Sequence, residues 1–547
     1  MNIFDHNYFL GYINAVTAQY INIHFPSAKL LQNFHYNGIR FRGGNVGNYI
    51  IIEGNEYGFL GRIIEISLPD SERKSLNESV IQHDETEFHP SGKAEIMLSF
   101  EIFNPTQVKK TISTYPCIGA KVYSCSDQLI SYYIYKFGAK FEKDDPNIKL
   151  GRLLTNNVEC VVSLNALLGR HCAIVGTTGG GKSWTLAHLI SAYSKETKNK
   201  VVLIDATGEY ENLSSKSVTF GDDCYFGYCN LKNSDFCFLL QEQSPNTTGA
   251  LCSAINSLRI KLIPESGFDG IKNGKNIAQI EKIINKYSSK LLNTDFHIDE
   301  LINQIRNECV KENARGNYEP DSFKLSYCSH LLTRVSLLLN NNFIRKSFGL
   351  DKTEKIRDIN EIIDDFIKST SDNVLRINFG KLPFDFNIRE IVVDFIAKIF
   401  LQKSRNEIFK NNPVLLCIDE AHQFLNKSIV AEDNSVLAIS NVNNIAKEGR
   451  KYGLFLCIAT QMPRDIPIGT LSQMGSFIVH RLINDLDKRA VEQACSSANK
   501  ATMSFLPVLG EGEAILTGVD FPMPLMLKIS SPSNKPNSRT PIFSKNS

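Results

Sequence analysis

A glycine-rich run of eight residues has the composition and spacing of a loop that binds phosphate groups. Gly176-Thr-Thr-Gly-Gly-Gly-Lys-Ser183 matches the pattern G-x-x-x-x-G-K-[ST] in full. Its glycines allow backbone N–H groups to turn toward phosphate oxygens, Lys182 supplies a mobile positive charge, and Ser183 offers a hydroxyl ligand for Mg²⁺. The sequence therefore predicts a nucleoside triphosphate site, with binding residues Gly176, Thr178, Gly179, Gly180, Gly181, Lys182, Ser183 and Trp184.

Two pairs of carboxylates follow apolar, strand-like runs further along the chain. Asp419 and Glu420 end the run that begins at Val414, and we expect Asp419 to hold the Mg²⁺ shell while Glu420 polarises the attacking water. Asp205 ends the run from Lys200, and Glu209 follows it. This second pair either positions a Mg²⁺-bound water or holds a neighbouring helix. The predicted metal ligands are Ser183, Asp419, Asp205 and Glu209.

Two further polar residues are candidates for catalysis because of where they stand in the chain. The apolar run Leu454 to Ala459 ends in Thr460-Gln461, so Gln461 can sense the γ-phosphate or orient water. Arg450 precedes that run, in a helix or loop from which it can face a neighbouring subunit. Together, and in this order, the two residues favour a catalytic role over a structural one.

The elements that position these residues indicate an α/β fold. From about Lys149 strand-like runs alternate with helical ones, as a parallel sheet requires. Residues 240–372 carry apolar stripes at helical spacing and no nucleotide motif, so they predict a helical insertion. The predicted organisation has a small β-barrel over 1–145, a core over 146–239 and 373–529, the insertion over 240–372, and a flexible tail over 530–547.

Local patterns give more specific expectations at the two ends of the chain. Residues 1–145 show short alternating runs and no helical periodicity, which is typical of a small barrel or sandwich without catalytic chemistry. Ser71 to Lys93 is polar and charged, and we expect a long exposed hairpin loop there. The tail is rich in Ser, Pro, Asn and Lys, which predicts disorder or a path across a neighbouring molecule.

Composition excludes several classes of protein. The chain has 547 residues, 42% hydrophobic and 22% charged, with a net charge of +2, so a basic surface for nucleic acid must be local. The 13 cysteines are scattered and often lie in apolar runs, which is typical of reduced thiols and not of a disulfide framework. With no long apolar run and no signal-peptide pattern, we expect a cytoplasmic protein that neither spans a membrane nor is exported.

The motifs, taken in order, resemble those of the HerA-like branch of the HerA/FtsK ATPases. The resemblance rests on the phosphate loop, Asp205 with Gly208-Glu-Tyr210, Ile418-Asp-Glu-Ala-His422, Glu448-Gly-Arg-Lys-Tyr452 and Ala459-Thr-Gln461, and covers nearly the whole chain. Arg170-His171 is similar to a pair that the family carries before its first strand. One departure is clear, because Ala206-Thr207 stands where the family usually has Pro-His.

The resemblance implies a fold, an activity and partners. The fold would be a RecA/FtsK-like ATPase core with an N-terminal barrel and a helical insertion, and the cofactors would be ATP and Mg²⁺. Arg170 and Arg450 would reach the γ-phosphate at subunit interfaces of a homohexamer that threads double-stranded DNA through its central channel. Family members act with a nuclease in DNA end processing, or with a nuclease or a sirtuin-like NADase in antiphage defence, so a separate effector chain would dock on the barrel.

Three functions remain open from the sequence. The first is an ATP-driven DNA translocase, and the second is an ATPase scaffold that holds and switches an effector enzyme. The third is a small-molecule kinase that uses the same loop, which the Asp419-Glu420 pair and the two candidate arginines argue against.

Overall fold

A computed structural model describes most of the chain, and within it two compact units. It covers residues 3–36, 38–41, 43–73, 88–109, 114–138, 145–155, 157–351, 356–425, 428–430, 436–438, 440–495, 500–521 and 523–537. One unit comprises the described residues of Met1–Thr197, Ala459–Arg464 and Leu471–Asn534. The other comprises those of Lys198–Ile458, Asp465–Thr470 and Lys535–Ser547. The predicted domain boundaries stay predictions.

The first unit begins with a closed β-barrel. Strands β1, β2, β7, β6, β5 and β9 pair in that circular order, β9 pairs with β1 again, and β8 extends β7 outward. Apolar side chains such as Leu10, Ile21 and Phe59 fill its interior. The predicted small barrel is confirmed. The elements are β1 Phe9–Val16, β2 Ile21–His24, β3 Phe34–Tyr36, β4 Ile39–Phe41, β5 Tyr49–Ile52, β6 Tyr57–Ser67, α1 Asp70–Arg73, β7 Ser91–Glu101, β8 Asn104–Lys109, β9 Lys121–Ser124 and α2 Asp127–Gly138.

Two features of this region differ from the sequence-based expectation. Helix α2 is a three-turn helix where no helical periodicity was expected, and it buries Ile130, Tyr133 and Ile134. Its run of Ile and Tyr has a high strand propensity, which tertiary packing overrides here. The loop expected over Ser71 to Lys93 is also shorter, because Ser91 already belongs to β7. Residues 74–87 of that loop lie outside the described chain.

The middle of the chain contains the strands that precede the predicted site and most of the predicted helical insertion. Helices over Ile277–Tyr287 and Ser329–Leu339 confirm two of the predicted apolar stripes. The elements are β10 Asn147–Leu153, β11 Glu159–Ser163, α3 Leu164–Leu168, β12 Cys172–Val175, α4 Lys182–Glu196, β13 Lys200–Asp205, β14 Lys216–Thr219, β15 Cys224–Tyr225, α5 Asn233–Leu240, α6 Pro245–Lys261, α7 Ile277–Tyr287, α8 Leu301–Asn307, β16 Val310–Glu312, β17 Tyr318–Pro320, α9 Ser322–Tyr327, α10 Ser329–Leu339, α11 Asn342–Ser347, β18 Arg357–Asp358 and α12 Ile359–Lys368.

The last third of the chain returns to strands alternating with helices, as predicted. One of its helices spans 18 residues, from Ile388 to Arg405. The elements are β19 Val374–Asn378, α13 Ile388–Arg405, β20 Val414–Ile418, α14 His422–Leu425, β21 Ser428–Val430, β22 Val436–Ala438, α15 Asn441–Glu448, β23 Leu454–Thr460, α16 Ile468–Leu471, β24 Ser476–His480, α17 Asp485–Ala494, α18 Lys500–Ser504, β25 Glu513–Gly518 and β26 Leu525–Ile529.

Strands of the first unit form a sheet around β12, the strand that leads into the phosphate loop. Their order is β11-β10-β26-β25-β24-β12. Strand β24 is parallel to β12, with Cys172 opposite Ser476, and β25 and β26 continue antiparallel. The sheet of the first unit thus combines one parallel pair of strands with antiparallel strands from the C-terminal part of the chain.

Strands of the second unit form a parallel sheet in the order β23-β20-β13-β19-β14. Strands β13 and β20 are buried along their whole length, which the apolar runs Val201 to Ile204 and Val414 to Ile418 predict for a sheet covered on both faces. Because the strands are parallel, Asp205 at the end of β13 and Asp419 after β20 reach the same edge of the sheet. The α/β fold class is thus confirmed.

Candidate functional site

The phosphate loop connects β12 to α4 within the first unit. All four residues of β12 are buried, and α4 begins at Lys182. Gly181, the N-cap residue, has φ 108°, which only glycine adopts without strain, and no side chain caps the helix. The first N–H groups of α4 are therefore available for an anion, and the helix dipole favours one there.

The phosphate loop combines one buried basic side chain with an exposed tip. Lys182 is buried, and its Nζ donates to the carbonyl oxygen of Thr177 at 3.2 Å. Thr178 and Gly179 are exposed at the tip of the loop. A buried ammonium group beside an exposed, glycine-rich turn is the arrangement that binding of a phosphate chain requires.

Gln461 lies against the phosphate loop, although almost three hundred residues separate the two in sequence. Its Oε1 accepts a hydrogen bond from the Thr178 hydroxyl at 2.5 Å. The preceding residue, Thr460, accepts a hydrogen bond from the Gly176 N–H at 3.3 Å. Gln461 therefore contacts the phosphate loop. Its role as a sensor of the γ-phosphate stays a prediction.

The acidic residues Asp419 and Glu420 follow β20 in the second unit, and both are buried. Burial raises the pKa of Asp419 well above its usual value, and the negative charges of Glu420 and Asp205 raise it further. A buried carboxylate that is repelled by its neighbours gains stability when a cation binds. The oxygen donors present here suit Mg²⁺, which is bound by one or two carboxylates together with substrate phosphates.

The backbone of Glu420 is held in a strained conformation. Its φ is 45°, in the left-handed region that glycine prefers. The His422 ring lies beside it, with Nδ1 at 3.4 Å from Oε2 of Glu420. Strain of this kind is maintained where the surrounding structure fixes a side chain for a task. Sequence reasoning missed His422, although its position two residues after Glu420 in the same motif was a signal.

Asp205 has a structural task that accounts for its complete burial. Its two carboxylate oxygens accept from the backbone N–H groups of residues 207–210 at 2.8–3.3 Å and from Arg376 Nε at 2.7 Å. Because those donors already occupy the carboxylate, Asp205 anchors the loop that carries Glu209. The carbonyl oxygen of Glu209 accepts from Asn537 N–H at 2.8 Å, so the described start of the tail contacts its own chain. Metal binding by Asp205 or Glu209 stays a prediction.

The two candidate arginines differ in their surroundings. Arg170 pairs with Asp520, with Nε at 3.0 Å from Oδ2. Arg450 lies in the 3-10 helix Gly449–Tyr452, and its side chain is exposed. Among the residues that the structure describes, none forms an ion pair with Arg450. Of the two guanidinium groups, that of Arg170 is held by a carboxylate of its own unit.

Two groups at the phosphate loop were not found from the sequence. His480, at the end of β24, is fully buried and bonds to Thr185 on α4. Gly512, before β25, donates its N–H to the Gly180 carbonyl at 3.0 Å. A polar residue at the end of a buried strand was the signal that identified Gln461, and the same signal applies to His480.

Comparison with known proteins agrees with this arrangement of fold and site. Residues 148–385 match the family described as "Helicase HerA, central domain". A probable helicase of Methanocaldococcus jannaschii is 26% identical over 500 residues, covering 86% of each chain. A DNA double-strand break repair helicase HerA of Sulfurisphaera tokodaii is 28% identical over 397 residues, covering 70% of this chain and 69% of that one.

A solved structure, VirB4 of Thermoanaerobacter pseudethanolicus, is also similar. It is 14% identical, covers 70% of this chain and 96% of its own, and superposes with a TM-score of 0.44. A likeness at that score adds no argument to the assignment.

The phosphate loop between a strand and a helix, with an acidic pair after a parallel strand, defines a P-loop ATPase. Within that class, residues 148–385 match the central domain of helicase HerA, and the two relatives are similar to this chain over 70% or more of its length. The resemblance that the motifs suggested is confirmed, and the kinase interpretation is set aside. In the described ranges, no helix is long and apolar enough to cross a membrane.

Proposed function

We propose that this ATPase moves double-stranded DNA, as a homohexamer with the duplex in its central channel. The observation that carries the ATPase part of the proposal is the contact of Gln461 with the phosphate loop, because it places a polar side chain where it can respond to bound nucleotide. The relatives support it, since several carry the name DNA double-strand break repair helicase HerA.

Each residue of the proposed site has a task that its chemistry allows. Lys182 and the first backbone N–H groups of α4 bind the phosphates, and Glu420 accepts a proton from the attacking water while His422 holds its carboxylate. Mg²⁺, when bound with ATP, neutralises the phosphate charge, and Ser183 and Asp419 would hold it. Gln461 orients water or senses the γ-phosphate, and Arg170 and Arg450 act from a neighbouring subunit.

Hydrolysis rates with and without DNA test the proposal. We expect duplex DNA of several hundred base pairs to raise the rate severalfold, and short single strands to raise it less. A rate that duplex DNA leaves unchanged, in a preparation that binds and hydrolyses ATP, would contradict a translocase. Mass measurement at micromolar concentration with ATP and Mg²⁺ should give six chains, and a monomer would overturn the ring.

A second candidate function is a scaffold that holds and switches an effector chain, such as a nuclease or a sirtuin-like NADase, in antiphage defence or DNA end processing. The observation that favours it is the pair of exposed tyrosines on α2 of the barrel, Tyr132 and Tyr135, which are 37% and 49% exposed. Exposed aromatic side chains are enriched at protein interfaces. The proposed site of action is the cytoplasm.

Replacing those tyrosines separates the two functions. Tyr132→Ala with Tyr135→Ala should abolish co-purification of the effector and leave DNA-stimulated hydrolysis unchanged. Leu337→Ala, an exposed apolar residue of the insertion, serves as the control and should keep the effector bound. An effector that still co-purifies with the tyrosine variant would place the docking surface elsewhere.

A further inference from the structure

The ring of His480 connects two parts of the first unit that are far apart in sequence. Its Nε2 lies 2.9 Å from the Thr185 hydroxyl oxygen, and its Nδ1 lies 2.9 Å from the carbonyl oxygen of Glu513. Thr185 stands in the first turn of α4, directly after the phosphate loop, and Glu513 begins β25. One side chain thus bonds to the loop's helix and to the C-terminal strands.

The partners of the ring fix where its proton lies. A carbonyl oxygen only accepts, so Nδ1 carries the hydrogen and donates to Glu513. Burial is the main cause that lowers the pKa of His480 to about 4; the Lys182 ammonium also lowers it, and the backbone carbonyls of Glu513 and Gly180 oppose these effects. The ring is therefore neutral at pH 7, and Nε2 accepts a hydrogen bond from the Thr185 hydroxyl.

The same histidine lies in contact with the loop itself. A methyl group added to Gly176 would stand 2.5 Å from the Cβ of His480, and one added to Gly180 would stand 3.4 Å from it. On the other side, the Gly512 N–H donates to the Gly180 carbonyl at 3.0 Å. The turn before β25 is itself closed, since the Gly510 N–H donates to the Glu513 carboxylate at 2.7 Å.

A loop made of glycines needs external support of this kind. Glycine gives the backbone the freedom to surround phosphate, and the same freedom leaves the loop poorly ordered without contacts. The N-terminus of α4 has no side-chain cap within its own sequence. A displacement of about 1 Å in a catalytic group is enough to lower a rate by roughly 100-fold.

We propose that His480 is a positioning residue for ATP hydrolysis, which ties the first turn of α4 to the Glu513 carbonyl and so holds the phosphate loop in its working geometry. The inference rests on the ATPase activity and on the role proposed for the loop, and it is independent of DNA translocation. Lys182 and Ser183 precede Thr185 on the same turn, so the bond between Thr185 and His480 sets their position.

Substitutions at Thr185 test the bond. In hydrolysis without DNA, Thr185→Val should lower kcat by about 10–100-fold, change the KM for ATP less, and leave the circular dichroism spectrum intact. Thr185→Ser keeps the hydroxyl and should stay close to wild type. Thr197→Val is the matched control. It removes the hydrogen bond that the Thr197 hydroxyl donates to the Tyr193 carbonyl at 2.7 Å, at the far end of the same helix. We expect no change in kcat.

His480→Asn provides a second, independent variant. Asparagine keeps a donor for Glu513 and loses the acceptor for Thr185, so it should lower kcat as Thr185→Val does, and the double variant should lose little more. If Thr185→Val does not fold, His480→Asn by itself is sufficient to test the proposal. A kcat within about twofold of wild type in a folded Thr185→Val or His480→Asn overturns the proposal, as does a Thr185→Ser that is as slow as Thr185→Val. A wild-type chain that hydrolyses no ATP would instead refute the proposed role of the loop.

Discussion

At the scale of single residues, Lys182 begins helix α4 whereas Glu420 follows strand β20, and the two side chains have different chemistry. Lys182 offers a buried ammonium group to phosphate, whereas Glu420 offers a carboxylate to water. We expect Lys182→Ala to weaken ATP binding by about 10–100-fold, the value of one or two charged hydrogen bonds. Glu420→Ala should keep ATP affinity and block hydrolysis. The fluorescence of Trp184, the single tryptophan, reports binding directly beside Ser183.

Thr197→Val again serves as the control, because it changes a residue outside the site and should keep both ATP binding and hydrolysis. An equal loss of affinity in the Lys182 and Glu420 variants, with both proteins folded, would show that binding and hydrolysis are not divided in this way.

The neutral state of His480 also predicts a dependence of stability on pH. Its pKa is about 4 in the folded chain against 6.5 for a free histidine. Between those values the unfolded chain binds a proton that the native chain does not, so stability falls as pH falls from 6.5 to 4. The full difference corresponds to about 3 kcal/mol.

The difference in thermal midpoint between wild type and a His480 variant separates this effect from the titration of the other histidines. The gap in thermal midpoint between wild type and His480→Asn should shrink as the pH falls through that window. A gap that stays constant would mean that His480 has the same pKa in the native chain as in the unfolded chain.

The sequence was sufficient to predict the site residues that belong to a short local motif. The phosphate loop, Asp419 and Glu420 each follow an apolar strand, so local spacing was sufficient for them. The pairing of Thr185 with His480 spans 295 residues, and that of Thr178 with Gln461 spans 283. Such contacts depend on which strands become neighbours, which no local pattern contains. The same holds for Asp205, whose carboxylate is occupied by Arg376, a residue 171 positions away.

At the scale of elements, Arg62 belongs to a buried ion pair of the barrel and also connects the barrel to α18 within the first unit. Arg62 on β6 donates from Nε to Glu95 on β7 at 2.8 Å, and from Nη2 to the Thr502 hydroxyl at 3.0 Å. Its guanidinium also stacks over the Phe505 ring at 5.1 Å. Removing one partner of a buried pair leaves a charge without compensation.

Arg62→Ala should therefore destabilise the first unit by about 3–5 kcal/mol. The double replacement Arg62→Met with Glu95→Leu should recover most of that loss, because no buried charge remains. Lys93→Met is the control, since it breaks the exposed pair with Glu65 on the same two strands and should change stability by less than about 1 kcal/mol. Thermal unfolding checks all three, and an Arg62→Ala midpoint no lower than that of Lys93→Met would contradict this account of the contact.

Elements were predictable to different degrees for a physical reason. The fully buried strands β12, β13 and β20 are unbroken apolar runs, so their positions were clear from the sequence. Helix α2 was not, because its Ile and Tyr residues favour strands locally and become helical only by packing Tyr133 and Ile134 into the core. Burial on one face is a property of the folded unit, and single-sequence propensity does not contain it.

At the scale of the whole molecule, the exposed Arg450 predicts that active sites are shared between subunits. Arg450→Ala should lower hydrolysis by about 10³–10⁵, the contribution typical of an arginine that stabilises charge on the transferred phosphoryl group. ATP affinity should stay unchanged, because the nucleotide's own subunit supplies Lys182 and Ser183.

Mixed rings distinguish action in trans from action within one chain. Combining Arg450→Ala with Glu420→Ala subunits should restore part of the activity, because some interfaces then pair an intact Glu420 with an intact Arg450. Full activity of Arg450→Ala alone rules the role out. Absence of rescue, with mixed rings demonstrated by mass, would place Arg450 in the site of its own subunit.

Displacement of a third DNA strand measures movement along a duplex most directly. A triplex-forming oligonucleotide on a long duplex should be released by the wild-type protein with ATP and Mg²⁺, and release should stop with a non-hydrolysable ATP analogue or with Glu420→Ala. A protein that hydrolyses ATP faster on that duplex yet releases no third strand, or that releases it equally well without hydrolysis, would contradict an ATP-driven DNA translocase.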